Sequence, residues 1–168
     1  MATRQTEFEQ IAMPHTGSLL RVARRLTSEP DAAEDLVQET MLLAWRSFRQ
    51  FQAGTNARAW LFRILINSFY AQRRNGRLPD VALNGGEVAN EPNIPLAVDL
   101  GRALGMLSVE HRLVMMLGIV EGFTCQEMAE MLEVPIGTVM SRLNRARERL
   151  RGLLEPESAR TKCAAKEA

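Results

Sequence analysis

Lysine is almost missing from this chain of 168 residues: Lys162 and Lys166 are the two present, so 19 of its 21 basic residues are arginines. Cysteine is as scarce, with Cys125 and Cys163, and histidine is limited to His15 and His111. Two thiols cannot make a zinc site alone, the histidines are far apart, and both cysteines are expected to be free. Neither a Gly-rich phosphate loop nor a nucleophile motif occurs, so nothing in the residues supports an enzyme, a metal, a cofactor or a small-molecule substrate. A run of 18 apolar residues is also absent. The start, Met1 to Glu9, lacks the basic-then-apolar order of a signal peptide, and a cytoplasmic protein without membrane insertion is expected.

Net charge is lacking too, at +1, with a pI near 7.9. The composition, 46% hydrophobic and 24% charged, excludes a disordered or collagen-like chain. The arginine skew has two readings: GC-rich coding favours Arg codons, and arginine suits planar recognition of phosphate and guanine. Position decides between them. Residues 1–75 carry +3, 76–98 carry -2, 99–155 carry -1 and 156–168 carry +1. Within the third block, Ile136 to Arg151 holds five arginines and one acid, Glu148, so neutrality conceals a segment of +4.

The apolar residues of the first block recur at three and four, which predicts helices throughout. Ile11, Leu19, Leu20, Val22, Ala23 and Leu26 form the first stripe, with interruptions expected at Pro14 and Gly17. A stop at Thr27 and Ser28 precedes a second helix, capped by Ser28 or Glu29, with Pro30 at the tolerated first position and Asp31, Glu34 and Asp35 at its positive end. Its face of Leu36, Val37, Met41, Leu42, Ala44, Trp45 and Phe48 is wider than a small domain need bury. Thr55 or Asn56 caps a third helix, Ala57 to about Arg74. Residues 76–95 then hold three Gly, three Pro and three Asn without an apolar stripe, and a linker is expected there. Beyond it come helices over Leu96 to Leu107, Val109 to Glu121 and Cys125 to Leu132, the last opened by a capping box at Thr124 and Glu127. A basic helix follows to about Leu150. Residues 156–168 are expected to be a disordered tail.

A short capped helix, the turn Glu133-Val134-Pro135 and an arginine-rich helix make a helix-turn-helix. Thr138, Ser141, Arg142, Arg145 and Arg149 share one face, small hydrogen-bonding groups first and arginines after, as a major-groove reader needs. A merely solvated basic helix would carry the same charge; the capped helix and tight turn before it favour DNA. In the third helix, Trp60, Phe62, Phe69 and Tyr70 interleave with Arg58, Arg63, Arg73 and Arg74, a mixture suited to single-stranded DNA. Trp60 and Phe69 are expected in the core. Asn67 either reads an unstacked base or satisfies a nearby backbone group.

Four segments resemble one family. They are Asp31-Ala-Ala-Glu-Asp-Leu-Val-Gln-Glu-Thr-Met-Leu-Leu-Ala-Trp-Arg46, Ala59-Trp-Leu-Phe-Arg-Ile-Leu-Ile-Asn67, Glu121-Gly-Phe-Thr-Cys-Gln-Glu-Met-Ala129, and Val134-Pro-Ile-Gly-Thr-Val-Met-Ser-Arg-Leu-Asn-Arg-Ala-Arg147. Together and in this order they are similar to the extracytoplasmic-function sigma factors of bacterial RNA polymerase. The resemblance implies an all-α chain of two small domains: region 2 over 1–75 and region 4 over 96–155, joined by a flexible linker. It implies that Asp35, Gln38, Glu39 and Leu42 grip the β′ clamp helices of core polymerase, and that the β flap is a further contact. Arg63, Asn67, Tyr70, Arg73 and Arg74 would open and read the -10 promoter element, with Asn67 holding an everted base. The helix-turn-helix would read the -35 element as duplex, and an anti-sigma factor would hold the protein inactive, releasing it under stress. Cys125 stands where an aromatic residue is common and Met140 where a basic one is, which bears on the -35 sequence preferred. The absence of an added C-terminal domain argues against subgroups that sense signals through one.

Two other functions fit parts of the sequence. A decoy that sequesters an anti-sigma factor need not keep an arginine face on its last helix. A helix-turn-helix repressor leaves the first block unexplained.

Overall fold

The computed structural model describes residues 3–27, 29–52, 54–78 and 95–154, the side chains of 95–99 excepted. Every regular element among them is helical. Most of the expected linker, and the expected tail, lie outside the described residues, as do Ser28 and Cys163.

Helix α1 (Arg4–Ala12) starts at Thr3, whose hydroxyl accepts the Thr6 N–H. It precedes the apolar stripe that begins at Ile11 and buries only Phe8 and Ala12, so periodicity gives no sign of it. Phe8 meets the rings of Trp45 and Phe48 edge-on at 5.2 and 5.3 Å. Pro14 lies in a 3-10 turn, Met13–His15, before α2 (Thr16–Thr27). The interruption expected at Pro14 is present; that at Gly17 is not, because Gly17 sits inside the first turn of α2 beside open space.

In α3 (Pro30–Ser47) the proline takes the first position and Asp31 the first turn, while Glu29 stands at the cap without a side-chain capping bond. Ala33, Leu36, Val37, Thr40 and Ala44 are buried, and α3 packs on α2 and α4. Asn56 is the cap of α4 (Ala57–Arg74), its Oδ1 accepting the Ala59 N–H at 3.0 Å. Leu61, Phe62, Leu65, Ile66 and Phe69 give α4 its buried side, and Trp60 packs partly buried against the core. The helix ends in a Schellman motif: the Arg77 N–H reaches the Gln72 carbonyl and the Gly76 N–H that of Arg73. Gly76 adopts φ +69°, a conformation in which a Cβ is penalised.

The second block begins with α5 (Pro95–Gly105) and α6 (Val109–Met115), the latter capped by the Ser108 hydroxyl and continued by a π-helical turn, Met116–Val120. Gly118 lets the next helix approach closely: a Cβ there would lie 3.1 Å from the Met128 methyl, which would have to shift by a few tenths of an ångström. Helix α7 (Cys125–Leu132) opens with the complete capping box of Thr124 and Glu127, and α8 (Ile136–Leu154) runs a turn beyond Leu150. Between them Glu133 is left-handed, φ 54°.

The two blocks do not stand apart. Their buried residues form one contiguous core, within which Phe62 of α4 meets Phe123 edge-on at 5.1 Å. Buried Arg112 donates to the carbonyls of Leu104, Gly105 and Leu107 around the end of α5, and to that of Arg25 in the last turn of α2. These carbonyl ends carry partial negative charge, so a cation is stabilised there without a carboxylate. Burial, then the charges of Arg25 and Arg73, lower the Arg112 pKa from its ordinary value.

The capping box supports a direct test of α7. Thr124→Ala is expected to lower unfolding stability by about 1 kcal/mol, read as a shifted urea midpoint at unchanged slope.

Candidate nucleic-acid interface

The face of α8 is set by what the helix buries. Val139, Leu143 and Ala146 turn inward, against α7 and α6. The set Thr138, Ser141, Arg142, Arg145 and Arg149 therefore lies to one side of that contact: Ser141, Arg145 and Arg149 are exposed, Thr138 and Arg142 half-buried. The left-handed Glu133 at the end of α7 makes the tight turn that brings α8 across it. This is the geometry of a helix-turn-helix whose second helix presents its first turns and its arginines outward.

On α4, Arg63, Asn67 and Arg74 are exposed, Tyr70 and Arg73 half-buried. The Arg73 guanidinium lies 5.8 Å from the Phe69 ring centre, and the Tyr70 ring packs edge-on to Phe69 at 5.4 Å. Burial raises the Tyr70 pKa, as does Glu110, while Arg142 and Arg73 oppose the rise. Arg142, expected to serve a different DNA element from Tyr70, thus lies near enough for its charge to act on the Tyr70 phenol. Asp35, Gln38 and Leu42 are exposed along α3, Leu42 at 48%, so part of the surplus apolar face is uncovered. Glu39 is half-buried, its carboxylate accepting from the Gln72 amide of α4.

Periodicity alone does not mark the residues that join the two blocks. Glu121, 2% exposed in its side chain, accepts from Arg21 Nε at 2.9 Å and Arg58 Nη2 at 2.6 Å; Arg21 and Arg58 remain 51% and 31% exposed. Arg58 Nη2 also donates to the Glu121 carbonyl, and its guanidinium lies 4.4 Å from the Phe123 ring centre. Asn56 Nδ2 donates to Glu127 Oε1 at 2.9 Å, and Arg63 pairs with Glu133. One sequence signal existed: Glu121 is a lone acid closing the apolar run from Leu113, with no base nearby to pair it.

Comparison with known proteins places this geometry. The Sigma-70 region 2 profile matches residues 11–78 and the Sigma-70 region 4 profile matches 97–150. The chain is 35% identical over 165 residues to the ECF RNA polymerase sigma factor SigE of Mycolicibacterium smegmatis, covering 92% of this chain and 64% of that protein. It is 35% identical over 150 residues to SigL of Mycobacterium tuberculosis, covering 84% and 85%. The chain belongs to the extracytoplasmic-function sigma factors of the sigma-70 family. Among solved structures it is similar to the sigma factor RpoE of Bartonella quintana in complex with the anti-sigma factor NepR, at TM-score 0.75 and 39% identity, over 88% of this chain and 96% of that one. It is also similar to CnrH in complex with the cytosolic domain of CnrY, at TM-score 0.67 and 29% identity, over 89% and 88%. Among the described residues of this sigma factor, no helix is long and apolar enough to cross a membrane.

The Glu121 carboxyl has opposed influences. Burial pushes its pKa up, the hydrogen bonds from Arg21 and Arg58 pull it down, and the net value lies below the ordinary one. A carboxylate held so contributes stability fully above the ordinary glutamate range and loses it as pH falls through its own lowered pKa. Removing one member of a buried pair costs about 3–5 kcal/mol, and the exposure of both arginines places this site toward the low end. Thermal melts of the parent and Glu121→Gln are expected to differ most at neutral pH and to converge in acid. A difference that grows on acidification would contradict the pairing.

Proposed function

We propose that this sigma factor is the dissociable specificity subunit of RNA polymerase in the cytoplasm, and not itself an enzyme. Residues 1–75 perform the region 2 tasks and 96–155 the region 4 tasks. The exposed part of α3, with Asp35, Gln38, Glu39 and Leu42, binds the β′ clamp helices of core polymerase, and region 4 meets the β flap. Arg63, Asn67, Tyr70, Arg73 and Arg74 of α4 take the melted -10 strand. Thr138, Ser141, Arg142, Arg145 and Arg149 of α8 read the -35 duplex.

The observation that carries this reading is the arginine-bearing face of α8, built by a capped α7 and a left-handed turn, in the same chain as a region 2 match. A decoy has no use for that face. The likeness to sigma chains solved with NepR and with CnrY supports control by an anti-sigma factor, released under stress.

The test is reconstitution of the full chain with core polymerase on a genomic library. Promoter-dependent transcripts are expected, and their absence would contradict the function. On a promoter found in this way, Arg145→Ala is expected to weaken -35 duplex binding by about 1–3 kcal/mol. Asn67→Ala is expected to leave that binding intact and slow strand opening. Equal losses on -35 duplex would contradict the division between α4 and α8.

A further inference from the structure

Helix α8 carries a second exposed stripe beside its arginine face. Gly137, Met140, Ser141 and Asn144 follow at intervals of three, one and three, so they share one side of the helix, and all four are exposed. At about 100° per residue this side lies roughly 140° round the helix from the buried set Val139, Leu143 and Ala146. Thr138 and Arg142 sit closer to the buried set and are half-covered, with Arg142 near enough to Tyr70 of α4 for its charge to act on the phenol. The outermost side of the first turns is therefore the one that carries Met140 and Asn144.

Met140 and Ile136, one turn before it, form an apolar spot, 52% and 43% exposed, that nothing among the described residues covers. Its surroundings say what it meets. Arg147 and Arg151 continue along its side of α8, Arg145 flanks Asn144, and no ion pair among the described residues holds any of the three. Guanidinium groups without an acid, set around an apolar centre, fit a polyanion with apolar groups between its charges. A major groove is such a surface, bordered by phosphates and carrying thymine methyl groups. Gly137 opens the stripe with bare backbone, since nothing lies within 4 Å of a Cβ placed there, and a base pair can approach closely. The acid Glu148 comes one turn after Asn144 and repels phosphate, so the stretch that enters the groove ends near Arg145.

We propose that Met140 and Asn144 are specificity-determining residues of α8: Met140 packs on the 5-methyl group of a thymine in the -35 element, and Asn144 takes a neighbouring adenine. The inference rests on α8 being the -35 reader. A thioether has neither charge nor hydrogen-bond donor, so it gains nothing from phosphate or from the acceptors of guanine, whereas its flexible, polarisable chain packs on a methyl group. An asparagine amide presents a donor and an acceptor side by side, the complement of adenine N6 and N7 in the major groove. Four residues separate the two along α8, about 6 Å of helix, against about 3.4 Å per base pair, so both contacts fall within three consecutive base pairs. Arg145 beside them is left for guanine or phosphate.

The test is selection by holoenzyme, the full chain with core polymerase, from promoters whose -35 region is randomised. The parent is expected to enrich a sequence with a thymine, on either strand, that Met140→Ala no longer selects. Within three base pairs of it an adenine is expected that Asn144→Ala no longer selects. Both sites are exposed, so the variants are expected to keep the parent's circular dichroism and melting. Replacing the selected thymine by deoxyuridine removes only the methyl group. It is expected to weaken parent binding about fourfold, the worth of one buried methyl group, and to leave Met140→Ala unaffected, with Met140→Leu behaving like the parent. Exchanging the selected adenine is expected to cost the parent roughly tenfold and Asn144→Ala little. Parent binding indifferent to deoxyuridine, or variants that enrich the parent's sequence, would overturn the proposal. Loss of core binding in Met140→Ala at unchanged sequence choice would also overturn it, and would make the apolar spot a polymerase contact. A parent that enriches no -35 sequence would contradict α8 as the reader and the proposal with it. Enrichment that needs Arg145 but neither Met140 nor Asn144 would overturn the proposal alone.

Discussion

A single carboxylate, that of Glu121, joins three parts of this protein. It is buried at the bend that ends the π turn after α6, and it receives a guanidinium from α2 and another from α4. A charge so placed must be paired, since an isolated carboxylate out of water costs several kcal/mol. Arg58, which pairs with it, also covers the Phe123 ring, so the charged and apolar parts of the contact meet at one side chain. Arg112 is its counterpart in charge, a buried cation fixed by carbonyls at helix ends instead of by acids.

The consequence is a sigma factor in which α4 and α8, the two helices proposed to face DNA, share one body. The α8 face keeps Ser141, Arg145 and Arg149 outward, whereas α4 turns Asn56, Arg58 and Arg63 toward the acids of the helix-turn-helix. Charge that nearly cancels in the arithmetic of the whole chain cancels by contact in part of it. The +3 of residues 1–75 meets acids of 99–155 at distances of hydrogen bonds, and among the described residues no ion pair holds the arginines of α8.

Much of this was legible from residue order. The capping box at Thr124 and Glu127, the cap at Asn56 and Pro30 opening α3 are local rules that tertiary context did not override. The bounds of helix α1 were not legible, because a stretch that buries two residues carries almost no periodic signal. Nor could spacing show that Arg58 and Arg63 meet Glu121 and Glu133, since partners 63 and 70 residues apart are set by packing of whole helices. Interleaved arginines and aromatics on α4 fit single-stranded DNA and fit this internal contact equally well, as both offer oxygens to guanidinium groups and apolar surface to rings.

Closure of the free protein is most directly seen by small-angle scattering from the full chain without polymerase. A single-maximum pair-distance distribution is expected, with a radius of gyration close to the roughly 15 Å of a compact body of this length. Two separated maxima, the signature of helical units that do not touch, would contradict a structure held together through Glu121.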